Sequence, residues 1–278
     1  HGLTYGALMV AGQARFREPF QEQLARISHI VSLPKDCDAS LAEIEITIRR
    51  TQTSQTPIGA ILVEPIFGRA GIVVPPDGWL SKLRKLADNL DVLLIVDEIM
   101  TGFGRTGAWF AVNHENVVPD LLCIGKALTG SLPFSACLGT AKVMDAWPPS
   151  DGEALYTSTF LGHPLGCAAA LASIEEIERK ELPERAAQLG QEILVQMKSW
   201  IGACHAVSDV RGRGLMLGVE LRKPLAFESA KRALQKGLIV LPSGPKGDVI
   251  ALTPPLTIAP NQLDWGLKVL RDVFTSLE

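Results

Sequence analysis

The sequence predicts an α/β protein with a mostly parallel sheet, followed by a smaller α+β unit. Two observations carry that expectation. Strand-length runs that are apolar throughout, as strands covered on both faces are, alternate with segments whose apolar positions recur at helical spacing. Beyond residue 165 the texture changes to a long stretch rich in Ala, Glu and Gln, and then to short strand-like runs between two amphipathic segments.

The elements follow in order. Residues 60–64 read as a short buried strand, and Pro75-Pro76-Asp77-Gly78 breaks the chain before a helix over 79–90. Strands are expected at 92–96, 121–124 and 134–138. A strand, helix, strand alternation calls for right-handed crossovers and parallel pairing. The helical stretch from 165 to about 200 is expected to break at Pro183. After it come an extended run over 210–221, a helix near 229–235, strands at 238–241 and 249–252, and an amphipathic helix over 261–277. These divide the chain into a large domain with the start of a connecting helix, 1–178, and the connecting helix with a small C-terminal domain, 179–278.

Composition narrows the function classes. With 27 basic and 30 acidic residues the net charge is −3, so no global field favours nucleic acid or an anionic membrane surface, and small metabolites are the natural ligands. Apolar runs such as 61–63 and 93–96 fall far short of the roughly 20 residues of a membrane helix. Five cysteines without a CxxC pair suit reduced, packed thiols in a cytoplasmic protein, and five histidines without HxxH or HxxxH spacing give no expectation of a metal.

The chemistry concentrates in two strand ends. LLIVDEIMTGFGRTG carries Asp97, and Lys126 of LLCIGKALTGSLPFSA follows 29 residues later (126 minus 97). In parallel α/β sheets ligands gather at the carboxyl ends of the strands. A carboxylate and an amine meeting there suit pyridoxal phosphate, whose aldehyde needs an amine and whose pyridine nitrogen needs an anion to stay protonated. Each residue alone is more often a cap or a solvated first-turn residue.

The wider text decides between these readings. Thr101-Gly102-Phe103-Gly104-Arg105-Thr106-Gly107, Val118-Pro119-Asp120 and Thr159-Phe160-Leu161-Gly162-His163-Pro164-Leu165 closely resemble the class III aminotransferases of fold type I, over nearly the whole chain. The resemblance implies a homodimer using pyridoxal 5'-phosphate, with an incomplete large domain and a small C-terminal domain. It makes Lys126 the Schiff-base lysine and Asp97 the partner of the ring nitrogen. It places Ile99 on the ring face and Met100 where a Gln is frequent. Thr159, with Ser158 beside it, would reach the phosphate of the neighbouring subunit. His163 stands where many relatives have Asn and receives no proton-transfer role. The glycines of the Gly102–Gly107 turn and Arg211-Gly212-Arg213-Gly214 read as structural.

His1-Gly2 looks like the family's aromatic-His-Gly segment without its aromatic, and the upstream phosphate-binding turn of the family is not in this sequence. The implied activity is transamination between a primary amine or ω-amino acid and a 2-oxo acid. A pyridoxal-phosphate epimerase or aminomutase is the alternative, as is an inactive fragment or half of a split enzyme. Substrate contacts depart from the family. Ala251 replaces the Arg that grips an α-carboxylate, and Arg69 replaces the Glu of EPxxGE. An Ala cannot make bidentate bonds to a carboxylate, so a terminal amine is the expected donor.

Overall fold

Apolar tetrads such as Ala60-Ile61-Leu62-Val63 form strands because β-branched and aliphatic side chains suit a pleated surface, but the buried strand expected at 60–64 is covered on one face alone, with Val63 buried and Ala60 and Leu62 exposed on the other. In the computed structural model, which describes residues 1–24, 28–152 and 157–277, the chain runs α1 (Tyr5–Leu8), α2 (Ala14–Arg17), α3 (Cys37–Thr51), β1 (Ala60–Val63), α4 (Trp79–Asn89), β2 (Leu93–Asp97), β3 (Leu121–Ile124) and β4 (Ala136–Gly139). It continues through α5 (Ala141–Met144), α6 (Pro164–Arg179), α7 (Leu182–Lys198), β5 (Val207–Arg213), β6 (Met216–Leu221), α8 (Ala226–Gln235), β7 (Leu241–Ser243), β8 (Val249–Leu252) and α9 (Pro260–Thr275).

Two four-stranded sheets result. The first has the order β1-β2-β3-β4, with β1, β2 and β3 parallel and β4 antiparallel to β3. The reversal at β4 has a simple cause. Between β3 and β4 the chain makes only a 3-10 turn over Lys126–Leu128, and a parallel return needs a crossover of about a dozen residues or more, usually helical. The second sheet, β5-β6-β8-β7, is antiparallel throughout.

Local departures from the sequence-based expectations have local reasons. The run over 210–221 is a hairpin, because Arg213 pairs with Met216 across a two-residue turn and Gly214 takes φ +54°. The helical break falls at Glu181, with φ +49°, and Pro183 sits in the first turn of α7, where a missing N–H costs nothing. The strand expected at 238–241 pairs only from Leu241, as the edge strand that tolerates Pro242. Helix α3 has no counterpart among the expectations, although Asp36 caps Ala39 N at 2.8 Å and Ile44 and Ile48 bury one face against Trp79 and Leu83.

The two sheets meet at the loop that leaves β2. Arg105 donates from Nη1 to the carbonyls of Leu215 (3.0 Å) and Pro254 (2.6 Å), and Leu215 N donates back to Arg105 O at 2.9 Å. Beside it, α7 lies so close on the hairpin turn that a Cβ at Gly190 would stand 2.1 Å from Gly214 O. Arg211 of β5 donates to the carbonyls of Gly71 and Ile72, and Ser243 to Gly68 O at 3.2 Å, which fastens the loop after β1 to the second sheet. Among the described residues no helix is long and apolar enough to cross a membrane.

The Gly190 contact makes a signed prediction. Alanine is the better helix former by roughly 1 kcal/mol, but overpacking against backbone that cannot yield costs about 1–3 kcal/mol. Gly190→Ala is expected to lower stability to urea unfolding, and a stabilised variant would contradict the close approach.

Candidate active site

The parallel pairing of β1, β2 and β3 brings three chain exits to one edge of the sheet. Glu64 follows β1, Asp97 closes β2, and Lys126 comes two residues after β3. Asp97 is 5% exposed and accepts from Ile99 N at 3.0 Å. The imidazole Nδ1 of His1 stands 2.9 Å from both oxygens of Asp97. The carboxylate is therefore held from two sides, its orientation fixed.

Lys126 reaches the surface, yet the protein around it desolvates the amine enough to lower its pKa below the ordinary lysine value. Asp97 and Glu64 oppose that shift and Arg69 adds to it, with desolvation the largest cause. The backbone of Lys126 lies in the left-handed region at φ +46°. Such a conformation costs a non-glycine residue about 1–3 kcal/mol and persists where the surroundings impose it. Ile99 flanks the same point, its Cγ1 3.7 Å from where a Cβ on Gly125 would be.

Glu64 completes the group. Its Oε2 accepts from Gly68 N at 2.9 Å, and burial, with Asp97 adding, raises its pKa. Neither Glu64 nor the imidazole of His1 is among the residues singled out above. Glu64 was accessible from sequence as a second strand that ends on an acid; the His1 contact spans 96 residues and leaves no local signal.

Met100 packs with Ile66, Ile72, Met216, Val74 and Ala251 in one apolar cluster, its Sδ against Gly68. Ala251 thus lies among aliphatic neighbours. Arg69 is exposed, and among the described residues its guanidinium forms no ion pair, while its backbone is held by the Ser243 hydroxyl. Ser158 and Thr159 sit on the exposed turn before α6, with no hydrogen bond to Asp97 or Lys126 among the described residues. His163 Nδ1 accepts from Gly166 N at 3.3 Å and caps α6. No group of three or more His, Cys, Asp or Glu is placed to hold a metal ion among the described residues.

A buried carboxylate, a desolvated amine and an aliphatic face form a donor set that fits a cationic heterocycle bearing an aldehyde. Comparison with known proteins agrees. The family model for class III aminotransferases matches residues 1–274. An acetylornithine aminotransferase of Methanothermobacter thermautotrophicus is 36% identical over 277 residues, 100% of this chain and 66% of that protein. A leucine/methionine racemase of Thermococcus litoralis is 41% identical over 230 residues, 80% of this chain and 51% of that protein. The crystal structure of an amine transaminase from an uncultivated Pseudomonas species, in its pyridoxal-phosphate-bound form, matches with a TM-score of 0.90 at 30% identity, covering 100% of this chain and 68% of that one. The chain spans between about half and two-thirds of the length of these proteins. The likeness bears out the fold type I expectation, with the chain covering part of that architecture. On these grounds the chain belongs to the class III aminotransferase family.

Proposed function

We propose that the protein acts in pyridoxal-phosphate-dependent transamination of a primary amine or ω-amino acid with a 2-oxo acid acceptor. The observation that carries this reading is the desolvated Lys126 amine beside the buried Asp97 carboxylate. The cofactor, when bound, supplies an aldehyde for the amine and a ring that accepts electron density. Asp97, oriented by His1, would keep the ring nitrogen protonated, and Ile99 would pack against the ring. Lys126, with its pKa lowered, presents a larger unprotonated fraction at neutral pH, first as nucleophile and then as the base that moves the substrate proton. Ser158 and Thr159 would donate to the phosphate of a neighbouring subunit, which makes the functional unit a homodimer. Residues 1–178 would carry the cofactor and 179–278 the connecting helix and small domain, in a cytoplasmic enzyme.

Substrate choice rests on Arg69 and Ala251. Among aliphatic neighbours Ala251 offers nothing to an α-carboxylate, whereas the exposed Arg69 guanidinium, on a loop fixed by Arg211 and Ser243, suits a carboxylate distant from the reacting amine. Amino-acid epimerisation is the second reading, favoured by the racemase relative.

Incubation with pyridoxal phosphate, borohydride reduction and peptide mapping is expected to fix the cofactor on Lys126, and Lys126→Ala to lose the label with its fold retained. Label at another lysine would remove Lys126 from the mechanism. Because desolvation lowers the amine pKa, the pH profile of coupling is expected to reach half its maximum below the ordinary lysine value of 10.5; a midpoint at or above that value would contradict the site geometry.

Asp97→Asn is expected to slow turnover by more than about tenfold, a barrier of roughly 1.4 kcal/mol. Against a panel of donors, kcat/KM for terminal amines and ω-amino acids is expected to equal or exceed that for α-amino acids. A preference of over about tenfold for α-amino acids would overturn the substrate assignment, and loss of optical activity without an acceptor would establish epimerisation instead.

A further inference from the structure

Outside the proposed chemistry, β3 and β4 set two cysteines directly opposite each other, Cys123 and Cys137. The ladder identifies what kind of pair they form. Thr140 N donates to Asp120 O at 3.0 Å, and 120 and 140 continue the same register, in which Leu121 faces Gly139. Hydrogen-bonded and non-hydrogen-bonded pairs alternate along an antiparallel ladder. With 120 and 140 a hydrogen-bonded pair, Leu122 with Leu138 and Ile124 with Ala136 are hydrogen-bonded too, and Cys123 with Cys137 is a non-hydrogen-bonded pair.

That distinction matters for the sulfurs. Opposed Cα atoms in a non-hydrogen-bonded pair stand about 4.5 Å apart with side chains leaning together, inside the 4.4–6.8 Å range, roughly, that a disulfide spans. Both cysteines are free, and Cys137 stands near enough to Cys123 to raise the pKa of its thiol. Cys137 is exposed and Cys123 half-buried, next to Asp97 across the β2–β3 pairing and three residues (126 minus 123) before Lys126.

We propose that Cys123 and Cys137 are a redox-convertible dithiol, oxidised to a cross-strand disulfide by exchange with a low-molecular-weight disulfide. The exposed Cys137 thiolate attacks one sulfur of the reagent RSSR, forming a mixed disulfide and releasing RS⁻. Cys123 then gives its proton to that RS⁻ and, as the thiolate, attacks the Cys137 sulfur of the mixed disulfide, expelling the second RS⁻, which takes up from solvent the proton that Cys137 released when it ionised. The pair loses two electrons and the reagent is reduced to two thiols. The order of attack follows from the environment. Burial, with Cys137 and Asp97 adding, pushes the Cys123 thiol up to about 11, so at neutral pH it holds its proton and enters as the resolving group. The bond would brace the strand that leads into Lys126 against its neighbour.

The test uses the full chain with glutathione disulfide, alkylation under denaturing conditions and peptide mapping by mass spectrometry. Of the five free cysteines, two are expected to disappear together, leaving three alkylatable thiols (five minus two), with a Cys123–Cys137 cross-linked peptide that dithiothreitol reverses. In Cys123→Ser the reaction is expected to stop at a glutathione adduct on Cys137, and in Cys137→Ser Cys123 is expected to stay fully alkylatable. A wild-type chain that accumulates the Cys137 adduct while Cys123 remains alkylatable would overturn the proposal, as would a cross-link joining either cysteine to a different partner.

Discussion

The structure depends on a half-buried cation bonded to backbone carbonyls. Arg105 lies on the loop that leaves β2, and its guanidinium is bonded to backbone from two separate places in the second half of the chain, Leu215 and Pro254. Burial lowers its pKa to about 10, which still leaves it charged at neutral pH by a margin of about three units, or roughly 4 kcal/mol at 1.36 kcal/mol per unit. A charged donor to carbonyl oxygens makes a stronger bond than a neutral one. Since the loop it holds begins at Asp97, the same contact that joins the sheets fixes the exit of the strand bearing the carboxylate. The Gly190–Gly214 approach allows this geometry, because a Cβ at Gly190 would collide with the hairpin turn and one at Gly214 would collide with the backbone of Arg105, Thr106 and Gly107.

Parallel pairing does the rest of the assembly. Strands in register put their carboxyl ends side by side, so three residues far apart in sequence share one low-dielectric edge. The electrostatic outcome is a contest between terms of opposite sign. Two carboxylates favour a protonated Lys126, but removal of water from the amine outweighs them and the net shift is downward. Burial likewise raises Glu64, which keeps more of its proton and weakens its own claim on the amine.

How much of this was legible in the sequence depends on the range of each interaction. Strand ends carry a local signature, an apolar run closed by a polar residue, which picks out Asp97 and Lys126 as candidates, and the motifs around them carry the family resemblance that gives them roles. Strand direction was less so, since β4 turns back for want of a crossover helix, a matter of loop length over 125–135 rather than of strand composition. The β5–β6 hairpin was legible in part: Arg211-Gly212-Arg213-Gly214 resembles a structural turn, but the run over 210–221 does not show the reversal of the strand, which comes at Gly214. Helix α3 was readable from its Asp36 cap and the Ile44 and Ile48 spacing. The His1 contact with Asp97 and the burial of Met100 with Ala251 were not, because no periodicity in the chain encodes which loops a sheet edge will gather.

Backbone strain marks where those loops are gathered. Six non-glycine residues take positive φ among the described residues, and three of them, Ile72, Phe103 and Lys126, lie on the loops after β1, β2 and β3. Each costs about 1–3 kcal/mol, so each needs local support. Ile72 is fully buried and its carbonyl accepts from Arg211 at 3.1 Å. Phe103 is buried edge-on against Phe110 with ring centroids 5.4 Å apart. The carbonyl of Lys126 accepts from Gly130 N at 3.0 Å, closing a tight turn beneath the amine. Ile72 and Phe103 are thus held by packing that also joins the two sheets or covers the first, and the turn of Lys126 is held against α6, where the Ser173 hydroxyl donates to Ala127 O at 3.1 Å and Leu128 is buried beside Ala170 and Ile177. Lys126 alone of the three strained residues has a side chain that must change partners during the proposed reaction, so the support its backbone receives from α6 leaves the amine free to move while the turn beneath it stays fixed.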